Sequence, residues 1–338
     1  MNLDEFLAEW HDESPTLLVH TSGSTGQPKP LSVEKRRMEA SARITCQFLD
    51  LTAGAKALLC LPLDYIAGKM MVVRALTCGL QLVSVAPSSH PLSSLSEPID
   101  FAAMVPLQVW NSLHVADERE RLMAIRHLII GGGAIDDKLA GQLKSFPNSV
   151  WSTYGMTETL SHIALRRLSG PSATDWYTPF KGVTVTTNEE GCLVISAPAV
   201  CPQPLTTNDV AELLPMTDGE QEPQRFRILG RRDNVVCSGG VKIQIEQAER
   251  LLQPHLSAPF CLTKRKDVRL GEALVLLSED PDALRLQDIC QQVLPRFWRP
   301  RYYISCQQIP MTETGKIARS QAALIASQQT DNKLSHNN

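Results

Sequence analysis

The first half of the chain alternates helically spaced apolar sets with short continuous apolar runs. Leu3, Phe6, Leu7 and Trp10 recur at helical spacing, and Ser14-Pro15 then opens the run from Thr16 to His20, which reads as a short buried strand. Residues 33 to 51 predict a helix with Met38, Ala42, Ile44, Phe48 and Leu51 on its apolar side. The runs 57–63, 81–85, 101–105 and 127–130 predict strands, interleaved with helices over 68–78 and 108–123. This alternation predicts a layered α/β domain with parallel strands, whose ligands sit beyond the carboxyl ends of the strands.

After residue 180 the texture changes. Short strands at 183–186, 192–195 and 210–214 predict a small β subdomain. From about residue 234 a compact α+β module follows: a helix over 245–252, a strand over 273–277, a helix over 288–294, and a last strand and helix after the Arg/Pro-rich segment 295–301. The expected layout is a large N-terminal domain over 1–232, a smaller α+β domain over 233–327, and a polar, disordered tail over 328–338.

With 338 residues the chain is long enough for about two domains. Apolar residues make up 43% and charged residues 20%, an ordinary soluble composition. A formal charge of -3 argues against a nucleic-acid-binding role. Nine cysteines without a Cys-x-x-Cys pair point to reduced thiols, not to a disulfide framework or a zinc site. The acidic start and the lack of a long apolar run predict a cytoplasmic protein that neither enters nor spans a membrane. Monomer and homodimer both stay open.

Chemistry concentrates in a few segments. Residues 20 to 30, His-Thr-Ser-Gly-Ser-Thr-Gly-Gln-Pro-Lys-Pro, place hydroxyls, glycines and a lysine straight after a strand. Such a loop can wrap a polyphosphate with backbone amides, hydroxyls and one point charge, although it lacks the Walker A spacing and, alone, also fits a Ser/Gly linker. Ile129-Ile130-Gly131-Gly132-Gly133-Ala134 is a strand ending in glycines, suited to a flat base against the backbone. Tyr154-Gly155-Met156-Thr157-Glu158-Thr159 gathers an aromatic ring, hydroxyls and a carboxylate. Thr206-Thr207-Asn208-Asp209 is read as a turn whose carboxylate grips vicinal hydroxyls. Gly230-Arg231-Arg232-Asp233 leads to Ser238-Gly239-Gly240 at the change of texture, and Gly315-Lys316 lies near the C-terminus. Singly, Glu158, Asp209 and Lys316 also fit a surface acid, a turn former and a solvated lysine.

In this order and spacing the segments resemble the adenylate-forming superfamily of acyl- and aryl-CoA synthetases, from about Thr16 to Gln321. The resemblance implies ATP, Mg2+ and coenzyme A, with an acyl-adenylate formed first and a thioester second. It implies that Thr21, Ser22, Gly23, Ser24, Thr25, Gly26 and Lys29 handle the β- and γ-phosphates. Gly132, Gly133, Ala134 and Tyr154 would hold adenine, Asp209 and Arg231 the ribose. Thr157 would contact the α-phosphate, Glu158 would hold the metal, and Lys316 would reach the carboxylate and α-phosphate. Asp233 would be the hinge, and Ser238, Gly239 and Gly240 would face the pantetheine arm.

The chain departs from the superfamily pattern at Pro30, which follows Lys29 where glycine is usual. It departs again at Asp64-Tyr65, where Phe-His is common, and at Asn208, where glycine is common. Only about 20 residues precede the phosphate loop, so the resemblance implies a compact enzyme. Tyr65, Lys69 and His162 are expected at the acyl pocket, with Arg74, Ser88 and His90 as further candidates for a second carboxylate. Size, the Ser-Gly-Gly segment and a polar pocket resemble the o-succinylbenzoate-CoA ligase family of menaquinone biosynthesis. Another aryl- or acyl-CoA ligase, a carrier-protein ligase and a non-catalytic nucleotide-binding relative stay open as alternatives.

Overall fold

The computed structural model describes residues 1–20, 30–215, 223–312 and 317–328. The chain divides into two compact units. One comprises Met1–Thr186, Val194–Thr206 and Leu213–Arg227; the other comprises Thr187–Leu193, Thr207–Glu212 and Ile228–Asn338.

The first unit begins with α1 (Leu3–His11), started by a reciprocal cap in which Glu5 N donates to Asn2 Oδ1 and Asn2 N to Glu5 Oε2. β1 (Thr16–His20) and β2 (Pro30–Glu34) then pair antiparallel, from Thr16 opposite Glu34 to His20 opposite Pro30. This corrects the expectation of a buried strand in the layered sheet. β1 belongs to a separate two-stranded ribbon, and its burial alternates: Leu17 and Val19 point inward while Leu18 is 55% exposed.

The remaining elements build the layered sheet. They are α2 (Lys35–Phe48), β3 (Lys56–Leu59), α3 (Ile66–Cys78), β4 (Gln81–Ser84), β5 (Phe101–Met104), α4 (Pro106–Leu113), α5 (Ala116–Ala124), β6 (His127–Ile130), α6 (Asp137–Leu143), β7 (Ser149–Gly155), β8 (His162–Arg167) and β9 (Thr178–Pro179). The strand order is β4-β3-β5-β6-β7-β8-β9. The first five run parallel, and β8 and β9 close the edge antiparallel. The helix expected over 108–123 is two helices, α4 and α5. Met70, Met71, Val72 and Val73 of α3 are all buried, each contributing about 1.5–3 kcal/mol of apolar burial. Gly79 ends α3 in the left-handed conformation, with its N–H donating to Ala75 O.

β10 (Thr184–Thr187), β11 (Cys192–Ser196), β12 (Leu205–Leu213) and β13 (Phe226–Arg231) form a four-stranded sheet in that order and supply residues to both units.

The second unit continues with β14 (Val235–Ser238), β15 (Val241–Gln244), α7 (Ile245–Leu252), β16 (Phe260–Asp267), β17 (Gly271–Ser278), α8 (Ala283–Val293), β18 (Tyr302–Ser305) and α9 (Arg319–Gln328). Its central strand is buried on both faces, which is why 273–277 reads as an unbroken apolar run. Leu274 and Leu276 pack with Leu252, Leu286 and Cys290 from α7 and α8. Val275 and Leu277 pack on the other side with Ile304, Ala322 and Ala326. Arg319 clamps α9 onto α7 through two 2.6 Å bonds to the Glu249 carboxylate.

Candidate active site

Parallel pairing sets Ile130 beside Ser152, so β6 and β7 leave the sheet side by side and β7 runs three residues further. The segment 131–134 and the Tyr154-to-Glu158 segment therefore emerge at neighbouring carboxyl ends. The Tyr154 ring is half-buried against Phe226 (5.1 Å, edge-on) and Tyr177 (5.7 Å). Gly155 meets the returning strand so closely that a Cβ there would lie 2.3 Å from Ser161 O and 2.5 Å from His162 Cα. Any side chain would push β8 away.

Between them Thr157–Thr159 makes one 3-10 turn, in which Thr159 Oγ1 donates to carbonyl oxygens and accepts from Met156 N. Leu160 follows with φ 66°, a left-handed backbone that costs a non-glycine residue about 1–2 kcal/mol. Thr157 is buried. Glu158 is exposed and has no ion-pair partner among the described residues.

Residues 21–29, with Thr21, Ser22, Gly23, Ser24, Thr25, Gly26 and Lys29, lie outside the described residues. They connect the β1–β2 ribbon described above. Lys316 also lies outside them; its flanks are tied by an antiparallel bridge between Met311 and Ile317 and by Ala318 N donating to Pro310 O at 2.8 Å.

Within the second unit, Asp209 sits inside β12 and not at a turn, which corrects the sequence reading. The buried Thr207 hydroxyl donates to Leu193 O (3.0 Å) and accepts from Asp209 N two residues on (3.1 Å). Arg231, at the end of β13, donates to Asp209 (3.4 Å) and to Asp233 (3.0 Å), and Asn208 Nδ2 also approaches Asp233 at 3.4 Å. Asp233 lies in the 3-10 turn Arg232–Asn234. Ser238 ends β14 opposite Val241, and Gly239 (φ 57°) and Gly240 (φ 84°) form the two-residue turn between them. Two successive positive φ angles are what a twisted two-residue hairpin demands.

Back in the first unit, Tyr65 caps α3 at its N-terminal end and is 45% exposed. Lys69 is buried, with Nζ 5.4 Å above the Phe6 ring and 3.4 Å from Met1 Sδ; burial lowers its pKa, and Glu9 and Asp64 partly oppose the shift. Ser88 and His90 do not join the others. His90 Nδ1 instead pairs with the buried Glu118 at 2.8 Å, which also accepts from Ser112.

Arg74 and His162 do come together, and both are buried. Arg74 Nη2 donates to Ser161 Oγ at 2.7 Å, and Ser161 Oγ lies 3.1 Å from His162 Nδ1. The Arg74 guanidinium stands over the Phe101 ring at 5.9 Å, and its Nε has no partner among the described residues. No carboxylate pairs with it among the described residues, and burial brings its pKa down to about 10. Burial and Arg74 hold the His162 imidazole well below the ordinary histidine range. Sequence reasoning missed Thr45, whose Oγ1 is 3.2 Å from His162 Nε2, and Cys46, which lies with Cys78 near Arg74. The one signal was a threonine beside the apolar stripe of α2.

Among the described residues no group of three or more His, Cys, Asp or Glu side chains forms a metal site, and no helix is long and apolar enough to cross a membrane. All nine cysteines are free.

A family profile described as AMP-binding enzyme matches residues 4–200. The 2-succinylbenzoate–CoA ligase of Escherichia coli K12 is 25% identical over 333 residues, covering 94% of this chain and 70% of the relative. The crystal structure of an acyl-CoA synthetase (AMP-forming)/AMP-acid ligase II-like protein from Dyadobacter fermentans is 33% identical, with a TM-score of 0.63, covering 95% of this chain and 92% of its own. The fold is also similar to that of O-succinylbenzoate coenzyme A synthetase from Bacillus subtilis, solved with ATP and a magnesium ion (21% identity, TM-score 0.72, covering 90% of this chain and 69% of its own).

Proposed function

The chain belongs to the AMP-binding enzyme family, and from that premise we propose that it is an ATP-dependent acid–thiol ligase that activates 2-succinylbenzoate and passes it to coenzyme A. One observation carries the reaction type: segment 131–134, Tyr154, Thr157 and Glu158 emerge at adjacent strand ends, where ligands of such sheets bind. The acid is read from the 2-succinylbenzoate–CoA ligase relative, matched over 94% of this chain. Arg74 supports it, since a buried guanidinium with no carboxylate partner among the described residues suits an acid bearing a second carboxylate.

In the first half-reaction a carboxylate oxygen of the acid bonds to the α-phosphorus of ATP, and pyrophosphate leaves. Gly132, Gly133, Ala134 and Tyr154 hold adenine, Asp209 and Arg231 the ribose, and residues 21–29 the outer phosphates. Thr157 holds the α-phosphate oxygen, and Lys316 reaches the α-phosphate as its negative charge grows. Phosphoryl chemistry of this kind depends on placed cations and donors more than on a protein nucleophile.

Glu158 suits Mg2+, because an exposed carboxylate without an ion-pair partner among the described residues fits a cation held by one or two acids together with substrate phosphates and water. When bound, the ion draws charge from the phosphate oxygens.

In the second half-reaction the thiol sulfur bonds to the acyl carbon, its proton goes to solvent and AMP leaves. Residues 233–327 turn about Asp233 between the two steps and bring Ser238, Gly239 and Gly240 to the pantetheine arm. Nine free cysteines favour a reducing, cytoplasmic setting, and 2-succinylbenzoate as the acid assigns the chain to menaquinone biosynthesis.

ATP–pyrophosphate exchange across a panel of acids tests this reading. Exchange that depends on 2-succinylbenzoate and Mg2+ is expected; exchange with fatty acids or benzoates alone would refute the choice of acid.

A further inference from the structure

Arg74, Ser161, His162 and Thr45 form a hydrogen-bond chain inside the first unit, and the donor at each link is fixed. A guanidinium can only donate, so Ser161 Oγ accepts from Arg74 Nη2 (2.7 Å). The Ser161 hydroxyl can accept a second bond as well as donate one, so this end leaves the link to His162 Nδ1 (3.1 Å) undecided. The other end decides it. A carbonyl only accepts, so the Thr45 hydroxyl donates to Ser41 O, one turn back on α2 (3.1 Å), and its oxygen accepts from His162 Nε2 (3.2 Å). In a neutral imidazole Nδ1 is then bare and accepts the Ser161 hydrogen.

The chain leaves Arg74 restrained at one nitrogen. Among the described residues its Nη1 has only the Met71 sulfur at 3.7 Å, and its Nε has no partner. The other donors are unspent, while the Ser161 bond sets the plane of the fork. His162 is wedged edge-on against Phe180 at 5.4 Å, so the ring is held from the side as well. A second proton on the ring would turn Nδ1 into a donor facing Ser161 and would set a cation toward Arg74.

We propose that Thr45 and His162 are positioning residues which, through Ser161, set the aim of the Arg74 guanidinium on the second carboxylate of the acid, with His162 acting as the neutral Nε2–H tautomer. This rests on the reading of Arg74 as the acid-binding cation; the hydrogen-bond order does not. Thr45 and His162 touch no substrate. They act on acid recognition alone, and not on nucleotide binding or on the chemical step.

Two measurements test it on the full-length protein. Nitrogen-15 NMR of the histidine side chains, without any substrate, is expected to find His162 as the Nε2–H tautomer in the unaltered protein and shifted to Nδ1–H in Thr45→Val. Thr45→Ser is expected to restore Nε2–H. An Nδ1–H ring in the unaltered protein, or no change in Thr45→Val, would overturn the chain. Kinetically, Thr45→Val is expected to raise the KM for 2-succinylbenzoate about tenfold with the KM for ATP unchanged, and to have no further effect in an Arg74→Met background. An equal rise in both backgrounds, or a parallel rise for ATP, would reduce Thr45 to a structural residue. Failure of the unaltered protein to activate 2-succinylbenzoate would refute the acid and with it the aim assigned to Arg74, while the NMR result still decides the hydrogen-bond order.

Discussion

Arg231 is held by the carboxylate of Asp233, with Nη2 donating to Oδ2 at 3.0 Å, inside the turn proposed as the hinge. Proline at 233 would fix φ near -65° and remove the carboxylate together. Asp233→Pro is expected to leave pyrophosphate release intact and to slow thioester formation by about a hundredfold, the scale of a misplaced reacting group. Asp233→Asn, which keeps the turn, separates the loss of charge from the loss of rotation. Equal slowing of both steps by proline would show that no rotation at 233 separates them.

Lys316→Ala is expected to cut adenylation by a factor of about 100–1,000, the cost of removing one donor aimed at developing charge. Thioester formation from supplied acyl-adenylate should continue near the unaltered rate. Single-turnover assays of the two steps make the comparison, and loss of both would remove the role given to the lysine.

Arg74→Met should raise the KM for 2-succinylbenzoate by a factor of about 10–100, since a hydrogen bond to a charged group contributes roughly 1.5–3 kcal/mol. The variant should keep its fold, because an apolar side chain replaces a buried cation that has no acidic partner among the described residues. Arg74→Lys keeps the charge but not the fork and should fall between the two. An unchanged KM in Arg74→Met would remove Arg74 from acid recognition.

Stability should fall on mild acidification. The pKa of His162 is lowered in the folded protein by burial first and Arg74 second, and that of His127 is lowered mainly by burial. Below about pH 6.5 the unfolded chain takes up these protons and the folded protein resists them. The favourable contribution is therefore present above that pH and is lost below it, by up to about 1.4 kcal/mol per pH unit for each histidine. Denaturant titrations between pH 7 and 5 should show the slope, and His162→Gln should remove part of it. An identical slope in the variant would contradict a neutral buried His162.

Much of this was legible in the sequence because period and punctuation agreed. Residues 245–252 carry a full amphipathic face and form α7 as expected. The apolar run 273–277 is buried on both faces and forms the centre of β17. β1 was misread because five residues cannot show whether a neighbour lies on one side or both; its partner, β2, starts only at Pro30. Asp209 was misread as a turn because the Thr207 hydroxyl bonds the backbone within a strand. Arg74 and His162 were visible as polar candidates, but nothing in their spacing said that they are buried or that Thr45 joins them, since that contact spans 117 residues.

The most direct test of the account is pyrophosphate release from ATP and Mg2+ with 2-succinylbenzoate, measured with and without coenzyme A, with the products weighed by mass spectrometry. On this account, pyrophosphate and an acyl-adenylate are expected without coenzyme A; with it, pyrophosphate, AMP and the 2-succinylbenzoyl-CoA thioester. No pyrophosphate with this acid, from a protein that still binds ATP, would contradict it.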